Sequence, residues 1–183
     1  MREPRFRFRE DKAAEAAVEI IRLQGGHSDM IRVMKLLYLA DRESLEKRSI
    51  PITGDRYVSM DQGPVLSMVY DLLKDTAIDS VWHSRVHREG NILSVAGGAP
   101  LGALSDEDRQ IIRVVVERHA SKDTWALCDW THRLPEWKNP HGSSIPIEVS
   151  QVLSAVGRTI GEIEEIAQEE DGWYNLHRAI GVE

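Results

Sequence analysis

From Met30 to Ala40 the chain is apolar at every position except Arg32 and Lys35. A helix with this sequence is apolar nearly all round, and such helices are buried on most sides. Any fold for this chain therefore has to wrap other elements around a central rod. The rod is expected to run from about Met30 to Lys47, with Ser28 or Asp29 as its N-cap. Arg32, Lys35, Arg42 and Glu46 fall near one another on one polar stripe, which marks the side expected to reach water.

The elements available to wrap the rod are mostly helical. Ala14, Ala17, Val18 and Ile21 follow the i, i+3, i+4, i+7 spacing of one apolar face. They predict a helix from about Asp11 to Leu23, stopped by Gly25 and Gly26. Ahead of it, Arg5 to Arg9 alternates with period two, predicting an extended segment that lays Phe6 and Phe8 on the core. Beyond the rod, Ile50 to Asp55 has turn chemistry, and Tyr57 to Met60 reads as extended. Gly63-Pro64 is expected to open a helix with Pro64 at its first position, where the missing N–H costs nothing. Val65, Met68, Val69 and Leu72 would be its buried stripe.

The runs Val81–His87 and Ile92–Val95 flank Gly90-Asn91 and predict a β-hairpin. Gly97 to Gly102 reads as a loop, and Ser105 to Asp108 carries the capping pattern of a helix start. Ile111, Ile112, Val115 and Val116 give that helix its apolar face. Further helices are expected at about Thr124–His132, Pro146–Val156 and Thr159–Gln168, with Gly157 as a break. The expected fold class is mainly α with a small β-hairpin (α+β). Residues 1–183 are expected to form a single helical domain around the buried rod.

A net charge of −7 argues against non-specific nucleic-acid binding by the chain as a whole. The charge is unevenly placed, with Arg2, Arg5, Arg7 and Arg9 at one end. At the other end Glu162, Glu164, Glu165, Glu169, Glu170 and Asp171 crowd together. Such a pattern suits a solvated acidic helix face paired with a basic arm; an arm touching nucleic acid is the alternative. The lone Cys128 cannot form an internal disulfide, which favours a reducing compartment. With no signal-peptide pattern and no apolar run of ~18 residues, the expected address is the cytoplasm, without a membrane partner.

Anchors for chemistry are weak. His83 and His87 are four apart on an expected strand, about 13 Å of chain and too far for one ion. Cys128 and His132 share a helix face, with His119, Asp129 and His141 as loose further ligands, but no zinc-binding pattern joins them. The glycine-rich run from Gly97 to Gly102 lacks the Gly-Lys-Ser/Thr ending of a phosphate cradle. Trp82, Trp125, Trp130, Trp137 and Trp173 are many tryptophans for this length. Core packing is their ordinary use, and a binding patch at Asp129–Trp137 is the functional one.

Four segments in order carry a resemblance. They are Lys35-Leu36-Leu37-Tyr38-Leu39-Ala40-Asp41-Arg42, then Pro51-Ile52-Thr53-Gly54-Asp55, then Gly63-Pro64-Val65 with Tyr70, and last Leu127 to His132 with Pro135 and Trp137. This series resembles the Panacea domain of SocA-like antitoxins. Ser49-Ile50-Pro51 departs from the Gly-containing turn common there, and Gln62 stands where Tyr or His is frequent.

The resemblance implies a non-enzymatic module that binds and neutralises a protein toxin encoded nearby, with no cofactor, no metal and no catalytic residue. In the SocA case it also implies delivery of the toxin to a ClpXP-type protease, and it leaves homo-oligomerisation open. Asp61, Gly63, Pro64, His132 and Trp137 are the protein-binding residues it suggests. Two alternatives stand beside it. One is a DNA-binding regulator using the Arg2–Arg9 arm and the Arg32/Lys35/Arg42 stripe, and the other is a metal-dependent hydrolase around Cys128 and His132.

Overall fold

A computed structural model describes residues 2–74, 79–98 and 102–180. Helix α1 (Glu10–Leu23), strand β1 (His27–Asp29) and helix α2 (Met30–Arg48) come first. Strands β2 (Tyr57–Met60) and β3 (Gly63–Leu66) form a hairpin, followed by helices α3 (Ser67–Lys74) and α4 (Val81–Arg85). A second hairpin, β4 (Val86–Glu89) and β5 (Ile92–Val95), leads to α5 (Asp106–Arg118) and α6 (Thr124–Thr131). The chain ends on β6 (Ile145–Ile147), α7 (Val149–Ala155) and α8 (Ile160–Ile180). Both sheets are antiparallel, in the orders β1-β5-β4 and β3-β2-β6. The fold is mainly α with small β elements, as the sequence predicts.

Helix α2 is the rod. Asp29 caps it, accepting from the backbone N–H groups of Ile31 at 2.9 Å and Arg32 at 3.2 Å. Val33, Leu36, Leu37, Tyr38, Ala40 and Leu45 are all buried on it. Helices α1, α5, α6 and α7 and strands from both sheets surround it. Helix α1 buries the predicted face of Ala14, Ala17, Val18 and Ile21. It stops where Gly26 N donates to Ile21 O and Gly25 N to Arg22 O, the two bonds of a Schellman ending. The Ser105 capping box of α5 forms as expected. The N-terminal arm lays half-buried Phe6 and Phe8 on the core and bonds through Arg9 N to Thr53 O, without joining a sheet.

Four boundaries differ from the sequence expectation, for physical reasons. Gly63-Pro64 opens a strand, not a helix: Pro64 pairs opposite Ser59 on an edge strand, where its missing N–H is equally harmless. Helix α3 starts later, at Ser67, and its first turn is capped from afar. The Asp55 carboxylate accepts from Met68 N at 2.9 Å and Val69 N at 3.0 Å. Most of the expected strand Val81–His87 is instead helix α4, Val81–Arg85, capped by Ser80 through His83 N. Pro146 likewise lies in an edge strand, β6, and the helix begins at Val149. Helix α8 runs to Ile180, past the expected end at Gln168. Part of the Gly97–Gly102 loop, residues 99–101, lies outside the described residues.

One buried carboxylate fixes the turn that follows the rod. Asp41 Oδ1 accepts from Ile52 N and Thr53 N, both at 2.9 Å, and Oδ2 from the hydroxyls of Thr53 and Tyr57. The group is fully buried, and that burial pushes its carboxyl up to about 6 against the pull of its donors. Asp41→Ala would strand four donors, so we expect a loss of about 3 kcal/mol. Urea unfolding at pH 7 checks this, with a fall in Tm of roughly 6–12 °C alongside.

Candidate functional site

The five residues suggested for protein binding come together on one side of the rod, around the β2–β3 hairpin and the end of α6. Gly63 starts β3 at φ +100°, a conformation open to glycine. A Cβ there would lie 2.4 Å from Thr131 Oγ1 and 3.3 Å from Lys35 Nζ, so the space is closed as well. Pro64 follows, and its carbonyl accepts from Lys35 Nζ at 2.8 Å. The Lys-Leu-Leu-Tyr helix and the Gly-Pro-Val step are thus bonded to each other through the core.

The last of the resembling segments closes the cluster. Thr131 caps its own helix by donating to Cys128 O at 2.8 Å. His132 stacks on Trp137, with ring centroids 4.2 Å apart. Trp137 Nε1 donates to Met60 O at 3.1 Å, and Lys138 N to Ser59 Oγ at 3.2 Å, so both grip β2. Between them, Glu136 is buried and its Oε1 accepts from Tyr38 OH at 2.8 Å and Arg42 Nε at 2.7 Å. At the hairpin tip Asp61 is exposed and accepts from Gly142 N at 2.9 Å. Beside the cluster, Pro135, Glu136, Ser150, Gln151 and Ser154 line an open cleft of about 390 Å³.

The chemistry of these groups is that of holding, and their exposure is uneven. Gly63 and Pro64 are buried; His132 and Trp137 are half-buried; Asp61, Gln62, Arg133 and Pro135 reach the surface. Cys128 is buried, and its burial raises the thiol above its ordinary value, which keeps it protonated. His119 packs edge-on against Trp130 at 4.6 Å, and burial lowers it to about 4, so it is neutral at pH 7.

The polar stripe of α2 requires correction. Lys35 is 1% exposed and Arg32 8%, so neither faces water. Arg32 is spent on Gln24 Oε1 at 2.6 Å and on the carbonyls of His119 and Lys122. A basic stripe open to a DNA backbone is therefore not formed there, and at the N-terminal arm Arg2 pairs with Asp171 at 3.2 Å and Arg9 with Asp11 at 2.7 Å. His83 and His87 are likewise parted, the first in α4 against Ser80 Oγ and Leu72 O, the second on β4. No cluster of three metal-ligating side chains occurs among the described residues. Of the tryptophans, Trp82 is buried, while Trp125 and Trp173 are exposed. Sequence reasoning missed Lys35, Tyr38, Glu136 and Thr131 as members of this cluster; a lysine inside an otherwise apolar run was the available signal.

The family model described as antitoxin SocA-like, Panacea domain, matches residues 33–138, more than half of the chain and all of the cluster just described. No curated protein and no solved structure matches the chain.

Burial lowers the Lys35 ammonium to about 8, and no carboxylate opposes that effect. Because the unfolded chain holds this proton to higher pH, the native state gains stability as pH rises from about 8 toward the ordinary lysine value near 10.5. Lys35→Met removes a buried charge worth roughly 3 kcal/mol and orphans Pro64 O at about 1–2 kcal/mol. We expect the variant to match or exceed the parent in urea unfolding at pH 7, and to fall below it by pH 10.

Proposed function

This chain belongs to the SocA-like Panacea antitoxin family, and from that premise we propose that it neutralises a cognate toxin protein by direct contact. The observation that carries this reading is the family match over residues 33–138, the stretch whose matching segments bond to one another. The whole chain, residues 1–183, acts as one Panacea-like unit in the cytoplasm and contributes no chemistry of its own. Binding draws on the surface that the cluster shapes. Asp61 at the hairpin tip and the His132–Trp137 stack meet the partner, while Gly63 and Pro64 hold the hairpin in place. No helix among the described residues is long and apolar enough to cross a membrane.

A second step accompanies neutralisation in this reading. The bound toxin is handed to a ClpXP-type protease, with this protein as the adaptor. The two steps separate in a cell. Neutralisation restores growth whether or not the protease is present, whereas delivery lowers the toxin's half-life only when it is.

The test begins with the neighbouring reading frame, expressed alone and then with this protein. We expect growth arrest alone and recovery on co-expression; continued arrest with both proteins soluble would sink the reading. Trp137→Ala removes the stack and the grip on Met60 O, and is expected to weaken binding by roughly 30-fold in titration calorimetry.

A further inference from the structure

The N-terminal arm is stretched between two anchors. Near its start Glu3 Oε1 accepts from Ser150 N at 2.9 Å, and at its end Arg9 N donates to Thr53 O at 2.8 Å. Between them burial alternates with period two: Phe6 and Phe8 are half-buried, while Arg5, Arg7 and Arg9 are exposed. The segment is therefore extended, with its arginines on one side. Arg9 is taken by Asp11. Arg5 and Arg7 meet no acidic side chain among the described residues. Two guanidinium groups thus stand free, on Cα atoms about 7 Å apart along the arm.

The backbone of the arm has a free edge as well. In extended chain, successive residues turn their N–H and C=O to opposite edges. The edge of Arg7 and Arg9 faces the turn at Thr53 and Gly54. Arg9 N bonds to Thr53 O, and Arg7 O lies so close over Gly54 that a Cβ there would overlap it. The other edge belongs to Phe6 and Phe8, whose N–H and C=O groups are unpaired among the described residues. Buried backbone groups are almost always paired, so this edge is open to water. An unpaired extended edge is a template for one more strand.

The edge and the cations together select the occupant. A peptide strand bonds to Phe6 and Phe8 through its own N–H and C=O, and every second side chain then lies beside Arg5 or Arg7. Carboxylates at those positions complete the ion pairs. A nucleic acid matches guanidinium groups but has no peptide backbone to offer the edge. The arm of a second copy, laid on this one, sets arginine against arginine. We propose that the open edge of the arm, from Arg5 to Arg9, is a docking site for an extended acidic segment of a partner protein, added as a strand. The site lies outside residues 33–138 and stands apart from the toxin-binding reading.

The test titrates the purified full-length chain, at low salt and followed by NMR, with a capped Val-Glu-Val-Glu-Val-Glu peptide. Parallel titrations use the Val-Gln counterpart and a single-stranded oligonucleotide. We expect saturable binding of the acidic peptide that weakens with added salt, and slowed hydrogen exchange at the Phe6 and Phe8 amides in the complex. Arg5→Glu with Arg7→Glu changes two exposed side chains, and circular dichroism confirms that the fold persists. This variant is expected to bind the peptide at least about tenfold more weakly. No saturable binding by the parent overturns the proposal, as does equal binding of the Val-Gln peptide or equal binding by the variant. Binding that leaves exchange at Phe6 and Phe8 unchanged overturns the added strand. An oligonucleotide that displaces the peptide, and that the variant no longer binds, assigns the arginines to nucleic acid. A dimer in sedimentation that the variant dissociates assigns them to a second copy. Either result overturns the proposal too, and all of these leave the toxin-binding reading standing.

Discussion

Lys35 Nζ donates to the carbonyl of Pro64 at 2.8 Å inside the protein, with no carboxylate to offset its charge. This bond follows from the constraint that governs the fold. A helix buried on every side must satisfy its polar side chains internally, because water does not reach them. Those residues of α2 reach several different elements. Arg32 takes the carbonyls at the end of α5, Lys35 takes β3, Tyr38 and Arg42 take Glu136, and Asp41 takes the turn before β2. Apolar contact holds those elements close without setting their register. These directional bonds set it, one element at a time.

The same constraint explains what could be read from the sequence. Helix starts governed by local chemistry were legible: Asp29 before α2, Ser105 before α5, and the glycines after α1 all act within a few residues of the element they bound. The apolar run of α2 and its central place were legible for the same reason. Pro64 and Pro146 were not, because a proline satisfies the first turn of a helix and an edge strand equally well. Only the pairing partner decides, and for both prolines that partner is β2. The start of α3 was hidden because its cap, Asp55, lies 13 and 14 positions before the N–H groups it accepts from.

At the candidate site the five residues named from the sequence are neighbours in the fold, while Lys35 beside them has surroundings the sequence misjudged. Asp61, Gly63, Pro64, His132 and Trp137 do lie together, across a separation of some seventy positions that spacing alone could not bridge. Lys35 was assigned to water because lysine on a polar stripe ordinarily reaches it. Gly63 shows why it does not: the glycine lets β3 approach so closely that the lysine is sealed beneath it. The resembling segments therefore belong together for a steric and hydrogen-bonding reason. A larger residue at position 63 would part the hairpin from both Lys35 and Thr131.

This division of labour bears on how a partner is recognised. Residues bonded across the core, such as Lys35, Tyr38 and Glu136, cannot change singly without leaving a buried group unpaired. A surface built only from them would be costly to retune for a new partner. Exposed side chains at the rim of the cluster, such as Gln62 and Arg133, carry no such bond across the core. Substitution there changes what the surface fits while the framework beneath stays whole. A fold that fixes its own elements so firmly around α2 can therefore leave the choice of partner to its periphery.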